Sequence, residues 1–401
     1  MALPFEKIEP QVAQMGLEVA DQRSSILEQT ETAFDLLMKA TDLNEIWERI
    51  LLARHNDAGF RGAAPMDEPL NRPIDLCPAP DLATIYAADG SQIYPDQHAP
   101  APYWLTNIGV FIYHHGTDRL PEIVVEPQLY YREEDIRDSE GRLISSGAIN
   151  ARRTVYEMQT LAKVAIRKGD DATPRIALYD GPLIGMPMGK DIPNAGMLTM
   201  DYHEAMDFLF DEGVALTGYV DRPSSRFLVY TLYLMTLTED EVTRLNVSVP
   251  LLENITDSDL YARLLPPGSR SGLMIQQSPL NKEYKERHGD HQEIVFFYLN
   301  AASTGQAPYI VRVELPMWVA RNKPLVNAVQ SILHRQCQIT DRYPYALTRA
   351  DEIAVVQPAE KRYLDDMIAV ALLKNRQRLE MSQKLSSKHL ARYGRRHHEG
   401  V

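Results

Sequence analysis

The sequence predicts an α/β or α+β protein built on a mixed β-sheet flanked by helices. Three observations carry this. Apolar strand-type runs alternate with stretches of helical spacing through the middle of the chain. Two apolar runs, residues 294–300 (IVFFYLN) and 309–315 (YIVRVEL), lie close enough in sequence to form an antiparallel pair. Both ends of the chain read as helical extensions.

Residues 5–56 are expected to be helical, because Phe34, Leu36, Leu37, Ile46, Trp47, Ile50 and Leu51 recur at helical spacing. Asp42 is placed to cap the second helix, with Glu45 three residues on. The Gly-, Pro- and Asp-rich stretch that follows, AGFRGAAPMDEPLNRPIDLCPAPDL, reads as a loop or linker. A strand over 83–88 should end abruptly at Asp89-Gly90-Ser91, with further strands at 105–113 and 122–125. Helical spacing returns over 147–168, and RIALYD is a strand ending at Asp180-Gly181. Helix over 201–211, strand over 214–220 and a buried helix over 225–238 follow. After the 294–315 pair, helices are expected over about 323–336 and about 345–392.

Size and charge bound the function. The 401 residues carry a net charge of −13, with 44% hydrophobic residues, enough to bury a sizeable core. A module that grips DNA unaided usually has a basic balance, so the acidic total points instead to an enzyme that keeps carboxylates for metals. The tail differs: residues 374–401 hold eight basic and two acidic side chains, +6, which leaves −19 for the remainder. On a helix Lys384, Lys388 and Arg392 would form one basic stripe able to follow a phosphate backbone. Cys77 and Cys337 are too few for a disulfide framework or a cysteine zinc site, consistent with reduced thiols in the cytoplasm. No apolar run nears the roughly 18–20 residues that span a bilayer, and the N-terminus lacks the pattern of a signal peptide.

Several chemistries are excluded by spacing. GPLIGMPMGKD is one residue short of a phosphate-binding loop between Gly185 and Gly189, and Asp191 stands where Ser or Thr is needed. The chain should therefore not hydrolyse nucleotides. His203-Glu204 has no second histidine at zincin spacing, and His114, His115, His288 and His291 lack matching ligands.

The carboxylates remain. Asp89 (IYAADGSQ) and Asp180 (IALYDGPL) each close an apolar strand and precede glycine, which allows a turn or the close approach of a ligand. Glu157 lies on a helix just off its apolar stripe of Val155, Met158, Leu161, Ala162 and Ala165, and that helix leads into the strand of Asp180. Converging carboxylates suit magnesium or manganese, and two such ions about 3.5–4 Å apart can neutralise the charge that develops in phosphodiester cleavage.

In AADGSQ (87–92), the Arg153–Glu157–Leu161 helix, LYDGPL (178–183), TGYVDRPSSR (217–226), PPGSRS (266–271), VFFYLN (295–300), VRVELPMW (311–318) and YPYALTRADEIAVV (343–356), the chain resembles the NurA nuclease family over roughly residues 80–365. The resemblance implies an RNase H- or Piwi-like fold and a dimer. It also implies manganese-dependent single-strand endonuclease and 5′–3′ exonuclease activity, and a HerA-type hexameric ATPase as partner in DNA end processing. On this resemblance Asp89, Glu157 and Asp180 fall on the metal ligands and Tyr343 on the active-site tyrosine. Eight residues further, where many members carry histidine, this chain has Asp351, which could serve as a fourth ligand at the border of a buried helix face. Arg222 and Arg226 could hold phosphates. The expected organisation is a helical region over 1–60, a nuclease domain over 80–365 and a basic tail over 366–401. Two other readings are open: a catalytically silent subunit of a DNA motor, and a metal-dependent phosphatase acting on small phosphates. Residues 5–56 are a candidate docking element for the motor.

Overall fold

The computed structural model describes residues 4–57, 59–96, 99, 101–138, 140–166, 172–185, 192–244, 252 and 254–375. In chain order its elements are α1 (Glu9–Lys39), α2 (Leu43–Asn56), β1 (Gly62–Pro65), β2 (Ala83–Ile93), β3 (Trp104–His115), β4 (Glu122–Tyr130), α3 (Glu133–Ile136), α4 (Ser146–Ile166), β5 (Arg175–Asp180), α5 (Ala195–Asp211), β6 (Ala215–Val220), α6 (Phe227–Leu234), α7 (Glu239–Thr243), α8 (Asp257–Leu264), β7 (Met274–Gln277), α9 (Pro279–His288), β8 (Ile294–Asn300), β9 (Ile310–Pro316), α10 (Met317–Ala320), α11 (Lys323–Ile339), α12 (Tyr345–Ala354) and α13 (Pro358–Lys374). The strands form a mixed nine-stranded sheet in the order β1-β7-β8-β9-β6-β5-β2-β3-β4. Three strands consecutive in sequence, β2 to β4, are followed by β5 and β6, each entered through a helix. This is the mixed α/β sheet flanked by helices that the sequence predicts.

The chain divides into two compact units that interleave along the sequence. The first holds Met1–Ala83, Leu178–Ile184 and Gly213–Tyr345; the second holds Thr84–Ala177, Gly185–Glu212 and Ala346–Val401.

In the first unit β8 and β9 are buried along their whole length and pair antiparallel, from Ile294 opposite Pro316 to Asn300 opposite Ile310. Strands buried on both faces read as continuous apolar runs, which is why the sequence marks them so clearly. Phe296 and Tyr298 join a core with Leu37 of α1, Ile46 and Ile50 of α2, and Leu228 and Leu232 of α6. Asp42 caps α2 as expected, accepting from the backbone of Asn44 and Glu45. The N-terminal helices thus bury one face in their own unit, whereas Val12, Met15 and Val19 further up α1 are exposed. The stretch expected to be a linker is instead built in. Gly62–Pro65 is β1, antiparallel to β7. Glu68 takes both ends of the buried Arg270 guanidinium, at 2.6 and 2.9 Å, and also accepts from Leu273 N at 2.9 Å. Four residues suffice for an edge strand, but their pattern carries no period to read.

In the second unit β3 and β4 pair antiparallel, from Trp104 opposite Tyr130 to Ile112 opposite Glu122. Trp104 stacks on Tyr130, with ring centres 3.6 Å apart. The expected last long helix is two: Pro358 cannot continue a helix, so α12 stops at Ala354 and α13 starts at Pro358, to run as far as Lys374. The expected 225–238 helix likewise covers only Phe227–Leu234.

Candidate active site

The second unit presents Asp89, Glu157 and Asp351. Strand β2 does not stop at Asp89; it runs on to Ile93. Gly90 is therefore an extended strand residue rather than the turn expected from Asp-Gly, and it is not among the glycines with positive φ. Its lack of a side chain serves packing. A Cβ there would come 2.5 Å from Glu157 Oε1, 2.8 Å from Ile108 Cδ1 and 3.0 Å from Arg153 Cγ. Glu157 lies beside the buried stripe of α4 and is only 4% exposed.

A carboxylate buried this far is costly unless it is paired. Its partner stands one helical turn earlier: Arg153 Nε lies 3.2 Å from Glu157 Oε1. The same guanidinium donates to the Gly90 carbonyl at 2.9 Å and to Gln92 Oε1 at 3.2 Å. Gln92 in turn donates to Tyr94 Oη at 2.8 Å, and Tyr94 Oη donates to Asn150 Oδ1 at 2.7 Å. Positions 90, 92 and 94 thus meet α4. Ser91 meets α12, its hydroxyl donating to the Ala354 carbonyl at 2.5 Å. Glu157 comes to the strand over Gly90, and Asp89 beside it is half-buried. Asp89 Oδ1 accepts from Gly90 N at 2.7 Å.

Helix α12 is seated firmly on β3. Asn107 Nδ2 donates to the Ala354 carbonyl at 2.8 Å, and a Cβ on Gly109 would lie 2.8 Å from Ala354 N. Leu347, Ala350 and Ala354 are buried there. Asp351, about 100° further round the helix than Ala350, is exposed rather than at a buried border.

The first unit presents Asp180 and Tyr343. Asp180 ends β5 as expected and is exposed. Gly181 takes φ +129°, a conformation open essentially to glycine alone, and donates its N–H to the Tyr219 carbonyl at 2.9 Å. Two residues on, Leu183 N donates to Glu314 Oε2 at 2.7 Å and Tyr284 Oη donates to the Leu183 carbonyl at 3.3 Å. A Cβ on Gly218 would sit 2.7 Å from the Gly181 carbonyl.

Glu314 is wholly buried and forms an ion pair with Arg312 Nη2 at 2.7 Å. Behind this pair, buried Asp257 accepts from Leu228 N at 3.1 Å, Val229 N at 2.9 Å and Tyr298 Oη at 2.7 Å. Burial pushes the Asp257 carboxyl up to about 6, against the opposing pull of these hydrogen bonds and of Arg312. Tyr343 precedes α12, is half-buried, and meets Tyr219 edge-on at 5.4 Å. Tyr219 Oη donates to the Arg342 carbonyl at 3.0 Å, and burial raises its hydroxyl well above the usual range.

The expected phosphate-binding arginines separate. Arg222 is exposed, with φ +43°, and hydrogen-bonds Tyr309. Arg226 is engaged within its unit: the guanidinium donates to the Leu252 carbonyl and lies 5.2 Å from the Tyr230 ring centre. Lys384, Lys388 and Arg392 lie outside the described residues.

Among the described residues no group of three or more His, Cys, Asp and Glu side chains is close enough to hold a metal ion. Carboxylate oxygens are hard donors of the kind that magnesium and manganese take. Asp89, Glu157 and Asp180 offer only carboxylate oxygens, and the buried Glu157 is already balanced by a cation, the Arg153 guanidinium. Sequence reasoning missed Arg153 as that partner, although its i, i+4 spacing to Glu157 was the available signal. It also missed Glu314, which nothing separates from its apolar neighbours in VRVELP except its charge.

The fold defines the class: an α/β protein whose mixed sheet is flanked by helices. A family model described as the NurA domain matches residues 83–356, well over half of the chain. The chain belongs to the NurA family.

Among solved structures, the crystal structure of the NurA nuclease from Sulfolobus solfataricus is similar at 12% identity and a TM-score of 0.46, covering 89% of this chain and 98% of that one. A second crystal structure of NurA shows 12% identity and a TM-score of 0.29, covering 73% of this chain and 89% of that one. The C-terminal lobe of a budding yeast Argonaute shows 11% identity and a TM-score of 0.27, covering 68% and 46%. No curated protein matches the chain. Among the described residues no helix is long and apolar enough to cross a membrane.

Proposed function

We propose that this chain is a metal-dependent deoxyribonuclease in which Asp89, Glu157 and Asp180 hold manganese or magnesium. One observation carries the reading: in a chain of the NurA family, the buried Glu157 carboxylate is packed onto the Asp89-Gly90 strand, where a Cβ on Gly90 would meet it at 2.5 Å. A glutamate is buried in this way only where a partner faces it, and here Arg153 and the Gly90 strand do so. Bound divalent ions would lower the pKa of water and neutralise charge on the phosphate and the leaving oxygen.

The chain's own residues do the rest. Arg153 holds Glu157 in register with β2. The Glu314–Arg312 pair fixes the loop that begins at Asp180. Tyr343 offers a hydroxyl to order water or a phosphate oxygen. Asp351, on the exposed side of α12, is a fourth carboxylate available from solvent. Arg222 is the exposed arginine suited to phosphate, and the basic 374–401 tail is suited to the strand beyond.

Single-strand endonuclease and 5′–3′ exonuclease action, a homodimer and a HerA-type hexameric ATPase complete the proposal. The sequence carries no phosphate-binding loop, so nucleotide-driven movement along DNA would come from a partner. The test is incubation of the full chain with labelled single- and double-stranded DNA in Mn²⁺, Mg²⁺ or EDTA. Cleavage that needs the metal and disappears in Asp89→Asn is expected. DNA left intact under every condition would sink the enzyme in favour of a silent motor subunit.

A further inference from the structure

A groove of about 810 Å³ opens beside β2, within the second unit. Ser91, Gln92, Tyr94 and Pro95 line one side, and Val356 and Lys361 line the other. Its floor continues the strand that carries Asp89. At about 3.3 Å per residue, Tyr94 stands about 13 Å along from Gly90.

Tyr94 is held unusually well for a side chain that is 39% exposed. Its hydroxyl accepts from Gln92 at 2.8 Å and donates to Asn150 at 2.7 Å. With the hydroxyl fixed at both lone pair and proton, the ring is a preset platform rather than a mobile surface aromatic. The fixing groups lead back to the candidate catalytic carboxylate without a break: Asn150, Tyr94, Gln92, Arg153, Glu157.

Charge in the groove is nearly balanced. Lys361 Nζ lies 3.0 Å from Asp365, and Asp96 shares the lining. A duplex gripped by its phosphates would want a stronger cationic surface. A rigid, exposed aromatic ring with one lysine beside it matches an unpaired base and its neighbouring phosphate.

We infer that this groove is the subsite for single-stranded DNA next to the cleaved bond, with Tyr94 stacking a nucleobase and Lys361 facing a phosphate. Gln92 and Arg153 tie that platform to Glu157, so the base held at Tyr94 sets where the backbone meets the carboxylates. The inference rests on the nuclease reading and adds where the strand lies.

The experiment uses the full chain in EDTA, where binding is read without cleavage. A fluorescent oligodeoxythymidylate is titrated by anisotropy against wild type, Tyr94→Ala and Tyr94→Phe. Stacked bases contribute enough that Tyr94→Ala should weaken binding about tenfold, whereas Tyr94→Phe keeps the ring and should stay within about twofold. Lys361→Ala should reduce the salt slope of binding by about one phosphate contact, the rest of the slope belonging to Arg222 and the basic 374–401 tail. In parallel, wild-type protein is photo-cross-linked to an oligonucleotide carrying 5-iodouracil. The adduct should map to Tyr94, a readout that stands even if Tyr94→Ala does not fold. Wild-type affinity in Tyr94→Ala, or adducts only on other segments, would overturn the subsite and leave the nuclease reading intact. No cleavage and no DNA binding by wild type would remove both.

Discussion

The two Asp-Gly pairs look alike in sequence and are held by different physics. At Asp89-Gly90 the glycine is a space. Its backbone is ordinary extended strand, and Glu157, Ile108 and Arg153 fill the volume a side chain would need. At Asp180-Gly181 the glycine is a conformation. The nearest atom to its missing Cβ, on Tyr179, is 3.7 Å away, but φ is +129°. Support differs in the same way. Glu157 leans on an arginine that is 30% exposed, while the loop after Asp180 hangs on a Glu314–Arg312 pair sealed in the core. A shared dipeptide therefore does not imply a shared structural reason.

The largest expected effect is the one on which the two sites should agree. Asp89→Asn and Asp180→Asn should each slow metal-dependent DNA cleavage at least about 100-fold, beyond the 10–100-fold typical of groups that only orient a ligand. Single-turnover rates on a labelled strand measure this. Activity surviving in either variant would break the symmetry of role.

Next comes the difference in support. Glu314→Ala strands the buried Arg312 and should lower stability by about 3–5 kcal/mol in urea unfolding. Arg153→Ala should cost about 1–2 kcal/mol, because water reaches the partly exposed end of that pair. Equal losses would erase the contrast between sealed and open anchors.

The pH dependence sharpens it further. The Asp257 carboxyl, pushed up to about 6 from an ordinary 3.8, holds its proton in the folded protein after the unfolded chain has released it. Stability from this group is therefore present below about pH 4, falls as pH rises to about 6, and is flat above. The loss is about 2–3 kcal/mol, and Asp257→Asn should remove that slope from the wild-type urea midpoint profile between pH 4 and 7. A slope unchanged in the variant would assign the pH sensitivity to other groups.

The smallest test separates space from conformation. Gly90→Ala and Gly181→Ala should each cost about 1–3 kcal/mol, the first by overpacking and the second by backbone strain. Glu157→Ala made together with Gly90→Ala should recover part of the loss, a coupling above about 0.5 kcal/mol in a double-mutant cycle. Trimming Tyr179 should recover nothing at Gly181.

Much of this was legible in the sequence because it was periodic or chemically unusual. The buried strands β8 and β9, the Asp180 turn and the apolar stripe of α4 announce themselves by pattern. What stayed hidden depends on contacts far apart in the chain. Gly90 reads as a turn until Glu157, 67 residues later, is seen against it. Glu68 and Arg270 are 202 residues apart, and nothing local says they meet. β1 is too short to show a period, and the exposure of Asp351 follows from which face of α12 rests on Gly109. The NurA motifs located the candidate carboxylates; packing had to supply the reasons.

The two rims of the sheet have a consequence for assembly. β1 and β4 close the strand order, and each carries a proline, Pro65 and Pro127, that removes a backbone donor. β1 is four residues long and fully buried. β4 alternates half-buried Glu122, Val124 and Glu126 with exposed Ile123, Val125 and Pro127. At each border the donor missing at proline interrupts the strand-to-strand zippering by which sheets template aggregates or recruit a passing chain.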